Sequence, residues 1–389
     1  MKILAFENEM SSRRGGQERS LLAICEGLAA RGHAITLAYV TAGDFEARYR
    51  RCCTRLVQVH GYTVDRSRTA QSLADFAGSL WSLRAERPDL VYANQYLDSP
   101  LARSVASIMR RPFVCHLRLP PPGVFSFQYR YGMRGAVRLI ANSRQTRDDY
   151  VTHGFRRDRI DVVYNGIDVA AYVPAHGRDE VRARFGIAPS SFLIAFAGRL
   201  HPGKGIETLV EAVSRLAPPA DLVIAGREHE DGSGRAREAD LRELIRSRGL
   251  ESRCHMVGHV DPIADLFAAS DVAVLPSVIS ETFGRVVVEA MACGTPVVAS
   301  RIGGIPEILT GEFDRHLVPP GDAVALAARL EQFRGWQTRD PGLGRRCREH
   351  VERHFDLTQT VDGVEAVFLS VQDEWSEGRA APAATAAVW

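Results

Sequence analysis

Short, uninterrupted apolar runs alternate with longer stretches of helical period along this 389-residue chain, and the alternation starts twice. Residues 2–6, 34–40, 90–93, 113–117, 139–141 and 161–163 form the first series of runs, with helical patterns at 18–31, 72–86 and 100–109 between them. A second series opens at 192–197 and continues through 221–225, 254–257, 272–276 and 296–299, separated by helical patterns at 206–216, 237–248 and 262–269 and, before the last run, 286–293. A strand that is apolar at every position has no face to offer water, so it belongs in a parallel sheet covered by helices on both sides. The pattern predicts an α/β chain of two Rossmann-like, doubly wound parallel sheets.

The turn residues Asn165-Gly166-Ile167-Asp168 place the boundary between the two, giving an N-terminal domain over 1–170 and a C-terminal domain over 171–357. A last helical pattern at 358–375 is expected to cross back onto the first domain. The tail 376–389, rich in Ala with Gly and Pro and without a periodic apolar face, is expected to be disordered.

With 45% apolar and 25% charged residues, the chain has the composition of an ordinary soluble protein too long for one core. It has no apolar run of membrane-spanning length and opens without a signal-peptide pattern, which points to the cytoplasm. The seven cysteines are odd in number and lack metal-ligand spacing, so reduced, packed thiols are expected, the adjacent Cys52-Cys53 included. The formal charge of +2 hides an asymmetry: residues 1–175 carry 25 Lys and Arg against 16 Asp and Glu, and the remainder 24 against 31. A basic first half favours an anionic or lipid-linked partner and allows peripheral contact with a membrane face; no nucleic-acid partner is expected. Oligomeric state is not legible.

Two segments carry candidate chemistry. Gly198-Arg199-Leu200-His201-Pro202-Gly203-Lys204-Gly205 lies between a buried strand and a helix, where free backbone N–H groups and the helix dipole attract anions. Only two lysines occur, Lys2 and Lys204, and the second sits on this turn, where a compact point charge suits a phosphate. Downstream, Glu281 and Glu289 flank Phe283-Gly284, which reads as a turn into a helix that is apolar almost all round. On one continuous helix the two carboxylates would stand about 12 Å apart, far enough to touch different parts of an extended ligand. Ionised glutamates on such a helix need partners, and sugar hydroxyls can be those partners. A cationic loop for a diphosphate and two carboxylates for hydroxyls are the halves of a nucleotide-sugar site.

The string from Glu281-Thr282-Phe283-Gly284 through Glu289-Ala290-Met291-Ala292-Cys293-Gly294-Thr295-Pro296, followed by Gly303-Gly304-Ile305-Pro306-Glu307, resembles the donor-site signature of retaining glycosyltransferases of family 4. Gly15-Gly16, Arg31-Gly32-His33, Asn142-Ser143, Asn165-Gly166-Ile167-Asp168 and Gly198-Arg199 with Lys204-Gly205 extend the resemblance over most of the chain. It implies a GT-B fold, two Rossmann-like domains facing across a cleft, with the acceptor bound by the N-terminal domain and the nucleotide sugar by the C-terminal one. It also implies transfer of a hexose from a nucleoside diphosphate sugar to an acceptor hydroxyl with retention, in glycan, glycolipid or glycosylated-metabolite synthesis.

Residue by residue, the resemblance assigns Arg199 and Lys204 to the departing diphosphate and Gly15, Gly16 and Gly198 to close backbone approach. Glu289 goes to the ribose and Glu281 to the transferred sugar; Val260, Phe283 and Gly284 complete the donor contacts. His116 falls beside the transferred sugar, and His116, Arg199, Lys204 and Glu281 form the catalytic set. Relatives often follow that histidine with aspartate, whereas this chain reads His116-Leu117-Arg118, which puts Arg118 at the acceptor. No cofactor or metal is expected, because the two cations and the helix terminus supply the positive charge. Two readings stay open beside this one: a sugar-nucleotide 2-epimerase of the same architecture, and a non-catalytic nucleotide-sugar-binding subunit.

Overall fold

The computed structural model describes residues 1–12, 15–227 and 235–378, divided into two compact units. The first comprises Met1–Asn165 and the chain from Leu357 onward; the second is Gly166–Asp356. The break therefore falls before residue 170: Ile167 N–H donates to the Phe355 carbonyl at 3.0 Å, and the Val169 carbonyl accepts from Arg348 at 3.1 Å, so these residues side with the second unit.

Seven strands make the first sheet: β1 (Lys2–Glu9), β2 (Ala34–Thr41), β3 (Arg55–Gln58), β4 (Leu90–Ala93), β5 (Phe113–Leu117), β6 (Arg138–Ala141) and β7 (Ile160–Val162). They lie in the order β3-β2-β1-β4-β5-β6-β7, all parallel. Alternate side chains feed two cores. Leu4, Phe6, Val91, Ala93, Phe113 and Cys115 enter one, while Ile3, Ala5, Leu90, Tyr92 and Val114 enter the other. This two-sided burial explains the continuous apolar runs.

The helix Leu357–Ser376 closes the second of these cores with Val361, Val364, Phe368 and Val371, spaced along one helical face. It is tied down at several points: Thr360 Oγ1 donates to the Tyr164 carbonyl at 2.8 Å, Gln372 Nε2 to the Asp89 carbonyl at 2.6 Å, and Glu365 receives Arg31 Nη1 at 2.5 Å. The expected tail lies outside the described residues from 379 on.

The second sheet holds β8 (Phe192–Ala197), β9 (Ala220–Ala225), β10 (Cys254–Gly258), β11 (Val272–Leu275), β12 (Val297–Ser300) and β13 (Leu317–Val318), in the order β10-β9-β8-β11-β12-β13, again all parallel. Each sheet reverses its winding once, between β1 and β4 and between β8 and β11, and the carboxyl ends of strands at such a reversal are where open α/β sheets bind ligands. The seven cysteines are unpaired. Among the described residues no helix is long and apolar enough to cross a membrane.

Candidate functional site

The winding of the second sheet brings the two sequence-predicted segments together. The loop after β8 carries Gly198 to Gly205 and the loop after β11 carries Pro276 to Gly284, so both leave the carboxyl ends of neighbouring strands. Backbone contacts lock them: Val278 N–H donates to the Gly203 carbonyl at 2.9 Å. Gly205, at φ +66°, has the Pro276 carbonyl oxygen where a Cβ would stand, so only glycine permits the approach.

Across this junction Lys204 Nζ meets Glu281 Oε1 at 2.6 Å, and the buried Ser277 Oγ donates to the same oxygen at 2.5 Å. Gly304 N–H fixes the Glu281 carbonyl at 2.8 Å, and Gly303, at φ +59°, leaves space against it that a side chain would fill. The Arg199 side chain is exposed and makes no hydrogen bond or ion pair among the described residues, while its carbonyl accepts from His201 N–H at 2.9 Å. His201 Nδ1 accepts from Gly203 N–H at 3.0 Å. Its pKa is lowered by burial and by Arg199, Lys204 and Arg237, so a neutral imidazole sits in a cationic loop.

Glu281 is not on a helix shared with Glu289, as the 12 Å spacing assumed. The helix is Arg285–Ala292, and Glu281 stands in the loop before it, because Gly284 at φ +102° breaks the backbone run. Glu289 is buried, with Arg285 Nε on its Oε1 at 2.6 Å and a hydrogen bond to Tyr172. Burial, and next the Glu289 carboxylate, push the Tyr172 hydroxyl up. The protein thus supplies partners to both carboxylates, which the sequence reading had reserved for sugar hydroxyls.

Arg285 was legible four residues before Glu289, the spacing at which helical side chains meet; Ser277 and Tyr172 had no comparable signal. Phe283, expected among the donor contacts, turns its ring inward against Phe355 with centroids 5.8 Å apart, so only its backbone is left to meet a ligand. Val260 follows β10 at the same end of the sheet, half-buried.

In the first unit, Gly15 and Gly16 open the helix Gly16–Ala30 after β1. His116 lies in β5, fully buried, with Nδ1 2.7 Å from the Tyr92 hydroxyl. Burial raises the Tyr92 phenol to about 12, and its oxygen takes a hydrogen bond from Arg118. Its own O–H is therefore left to donate to Nδ1, which places the ring proton on Nε2. That Nε2 has no partner among the described residues, and burial, then Arg118, hold the ring well below the ordinary histidine pKa.

Arg118, assigned to an acceptor, is drawn inward instead: Nε donates to Asn94 Oδ1 at 2.6 Å and Nη1 to Asn165 Oδ1 at 2.8 Å, because a buried guanidinium must fill its donors. The sequence reading also missed three buried carboxyls at this end of the sheet, Glu7, Glu18 and Asp98; burial, then Glu18 and Asp98, raise Glu7 well above the usual range. Among the described residues no group of three or more His, Cys, Asp and Glu side chains is placed to hold a metal ion.

Comparison with known proteins decides what these loops belong to. The family profile Glycosyltransferase Family 4 matches residues 14–171, and that of Glycosyl transferases group 1 matches residues 177–339. A D-inositol 3-phosphate glycosyltransferase of Streptomyces bingchenggensis is 30% identical over 310 residues, covering 73% of this chain and 67% of that one. The chain belongs to glycosyltransferase family 4. Another relative, the D-inositol 3-phosphate glycosyltransferase of Mycolicibacterium smegmatis, is 33% identical over 64% of this chain and 56% of its own length. This family 4 chain spans between about half and two thirds of the length of these curated relatives.

The GT-B architecture follows from solved structures. Anabaena Alr3699/HepE in complex with UDP and glucose superposes with a TM-score of 0.82 at 25% identity, over 95% of this chain and all of that one. The lipopolysaccharide glycosyltransferase WaaG, at 17% identity and a TM-score of 0.69, shares the fold.

Proposed function

We propose that the chain transfers a hexose, with retention of anomeric configuration, from a uridine diphosphate sugar to an acceptor hydroxyl. The observation that carries this reading is the junction of Lys204 and Glu281 across two loops at the winding reversal of the second sheet. An ammonium has three donors, so Lys204 can keep Glu281 in place while giving a hydrogen bond to a diphosphate oxygen.

Arg199, exposed on the same loop, adds a second charge, and together they stabilise the departing diphosphate without a metal ion. Glu281, held from one oxygen by Lys204 and Ser277, presents its other oxygen to the sugar hydroxyls. Glu289, fixed by Arg285, takes the ribose. Within the first unit, His116 keeps an Nε2–H without a partner among the described residues, and Gly15-Gly16 place backbone N–H groups at the start of a helix. The uridine choice follows the UDP and UDP-glucose complexes of HepE.

Curated relatives named for D-inositol 3-phosphate make a phosphorylated polyol the acceptor of first choice, in line with the basic first half. The enzyme works in the cytoplasm on this reading, and lipid-linked acceptors would bring it to the inner membrane face.

The test is transfer from UDP-glucose and UDP-N-acetylglucosamine to D-inositol 3-phosphate in excess EDTA, with the anomeric proton coupling of the product read by NMR. An α-linked product formed in EDTA is expected. A β-linked product would remove retention, and activity restored only by a divalent ion would remove the metal-free chemistry. Conversion of the donor sugar without acceptor would favour the epimerase.

A further inference from the structure

At the amino-terminal edge of the second sheet, opposite the loops just described, lies a cavity of about 310 Å³ whose lining includes Arg315, His316, Arg329, Phe333, Trp336 and Arg339. Its place is fixed by two contacts: the His316 ring donates to the carbonyl of Val297, the first residue of β12, and Trp336 Nε1 donates to the carbonyl of Asp271, just before β11, at 2.8 Å. The nucleotide-sugar reading makes no use of it.

Two buried polar atoms in this lining lack partners among the described residues. One is His316 Nδ1, on a side chain only 2% exposed, and the other is the Nε–H of Arg329. With the Val297 carbonyl taking the proton on Nε2, Nδ1 is a lone pair with nothing to accept; Arg329 Nε is a donor with nothing to give to. Burying either without a partner costs roughly 1–3 kcal/mol, so the cavity is built for something that both accepts and donates.

Charge narrows the occupant. Three arginines face one carboxylate, Asp340, which is already held by Arg346 at 2.7 Å. Arg339 has committed Nη2 to the carbonyls of Gln332 and Arg334, which orients its guanidinium, and Arg329 Nη1 donates to Gln332 Oε1 at 2.8 Å. Burial, then Arg315 and Arg329, lower the His316 pKa to about 4, so the ring stays neutral and asks for a donor. An anion without a hydroxyl would leave Nδ1 empty, and a neutral polyol would leave the arginines without a counter-charge. Phe333 and Trp336 supply apolar walls for a carbon skeleton, and the volume sits at the small end of the range for ligand sites.

We propose that this cavity is a second binding site, for a small hydroxylated phosphate monoester: the phosphate bound by Arg315, Arg329 and Arg339, and a ligand hydroxyl donated to His316 Nδ1. Being at the far edge of the sheet, it binds its ligand alongside the nucleotide.

Glucose 6-phosphate is the probe, titrated by calorimetry into the full chain with and without saturating UDP, with glucose and inorganic phosphate as controls. Saturable one-to-one binding of glucose 6-phosphate is expected in both conditions, weaker binding of inorganic phosphate, and none of glucose. Arg329→Gln should weaken it about tenfold, the scale of one lost charge-assisted hydrogen bond. Arg315→Gln, an exposed change that cannot endanger the fold, should do likewise, while Lys204→Ala should leave it intact. Displacement by UDP, loss in Lys204→Ala with retention in Arg329→Gln, equal binding of glucose, or no binding at all would each overturn the proposal.

Discussion

Which side chains meet charge decides what the second unit can bind. Lys204 is poised on Glu281 at 2.6 Å, so on the proposed function replacing it removes a cation from the leaving group and loosens the carboxylate at once. Lys204→Ala should lower turnover by about two to three orders of magnitude, the range for one lost electrostatic contact to the transition state; steady-state rates near wild type would contradict its role. His201 offers a pH test. Its pKa in the free protein is depressed by burial and by its cationic neighbours, and a bound diphosphate would raise it. Binding then takes up a proton, so UDP affinity should strengthen as pH falls from 7 toward the free-protein pKa below 6.5. The titration of the phosphate itself is common to a His201→Gln variant, which should lack the extra dependence. Identical calorimetric pH profiles for the two proteins would show that His201 does not sense the ligand.

At the scale of elements, the strands buried on both faces were legible because their apolar runs are continuous: Phe192–Ala197 and Phe113–Leu117 lie where the pattern put them. Arg55–Gln58 and Leu317–Val318 escaped it, since edge strands are paired on one side only and these are short, the first opening and closing on polar residues. The candidate site was legible in its two loops and in the Arg285–Glu289 spacing, but not in the contacts that Ser277 and Tyr172 make with its carboxylates. Tyr172 reaches Glu289 through tertiary folding, which no local spacing encodes, while Ser277, four residues before Glu281, meets it inside a loop, where that spacing has no helical meaning. The two loops behave as one element through Gly205. A Cβ there would be strained at φ +66° and would meet the Pro276 carbonyl, so Gly205→Ala should destabilise the second unit by about 1–3 kcal/mol and weaken UDP binding. Thermal unfolding with and without UDP measures both, and an unchanged pair of curves would mean that the junction is soft.

For the whole molecule, the chain makes two similar sheets and returns its last described helix to the first of them. Phe368 from that helix packs edge-on against Tyr92 with ring centroids 5.0 Å apart, and Tyr92 in turn holds His116. Phe368→Ala should cost about 3–5 kcal/mol, seen as an earlier urea transition; an unshifted transition would mean that the returning helix is a passenger. The central claim is that the second unit reads a nucleotide sugar in two parts, diphosphate by its cations and sugar by Glu281. Calorimetric titration of UDP and UDP-glucose into wild type, Lys204→Ala and Glu281→Gln tests it most directly. The account predicts that Lys204→Ala weakens both ligands, whereas Glu281→Gln weakens UDP-glucose and leaves UDP near its wild-type affinity. Equal losses for both ligands in both variants, or none in either, would contradict it.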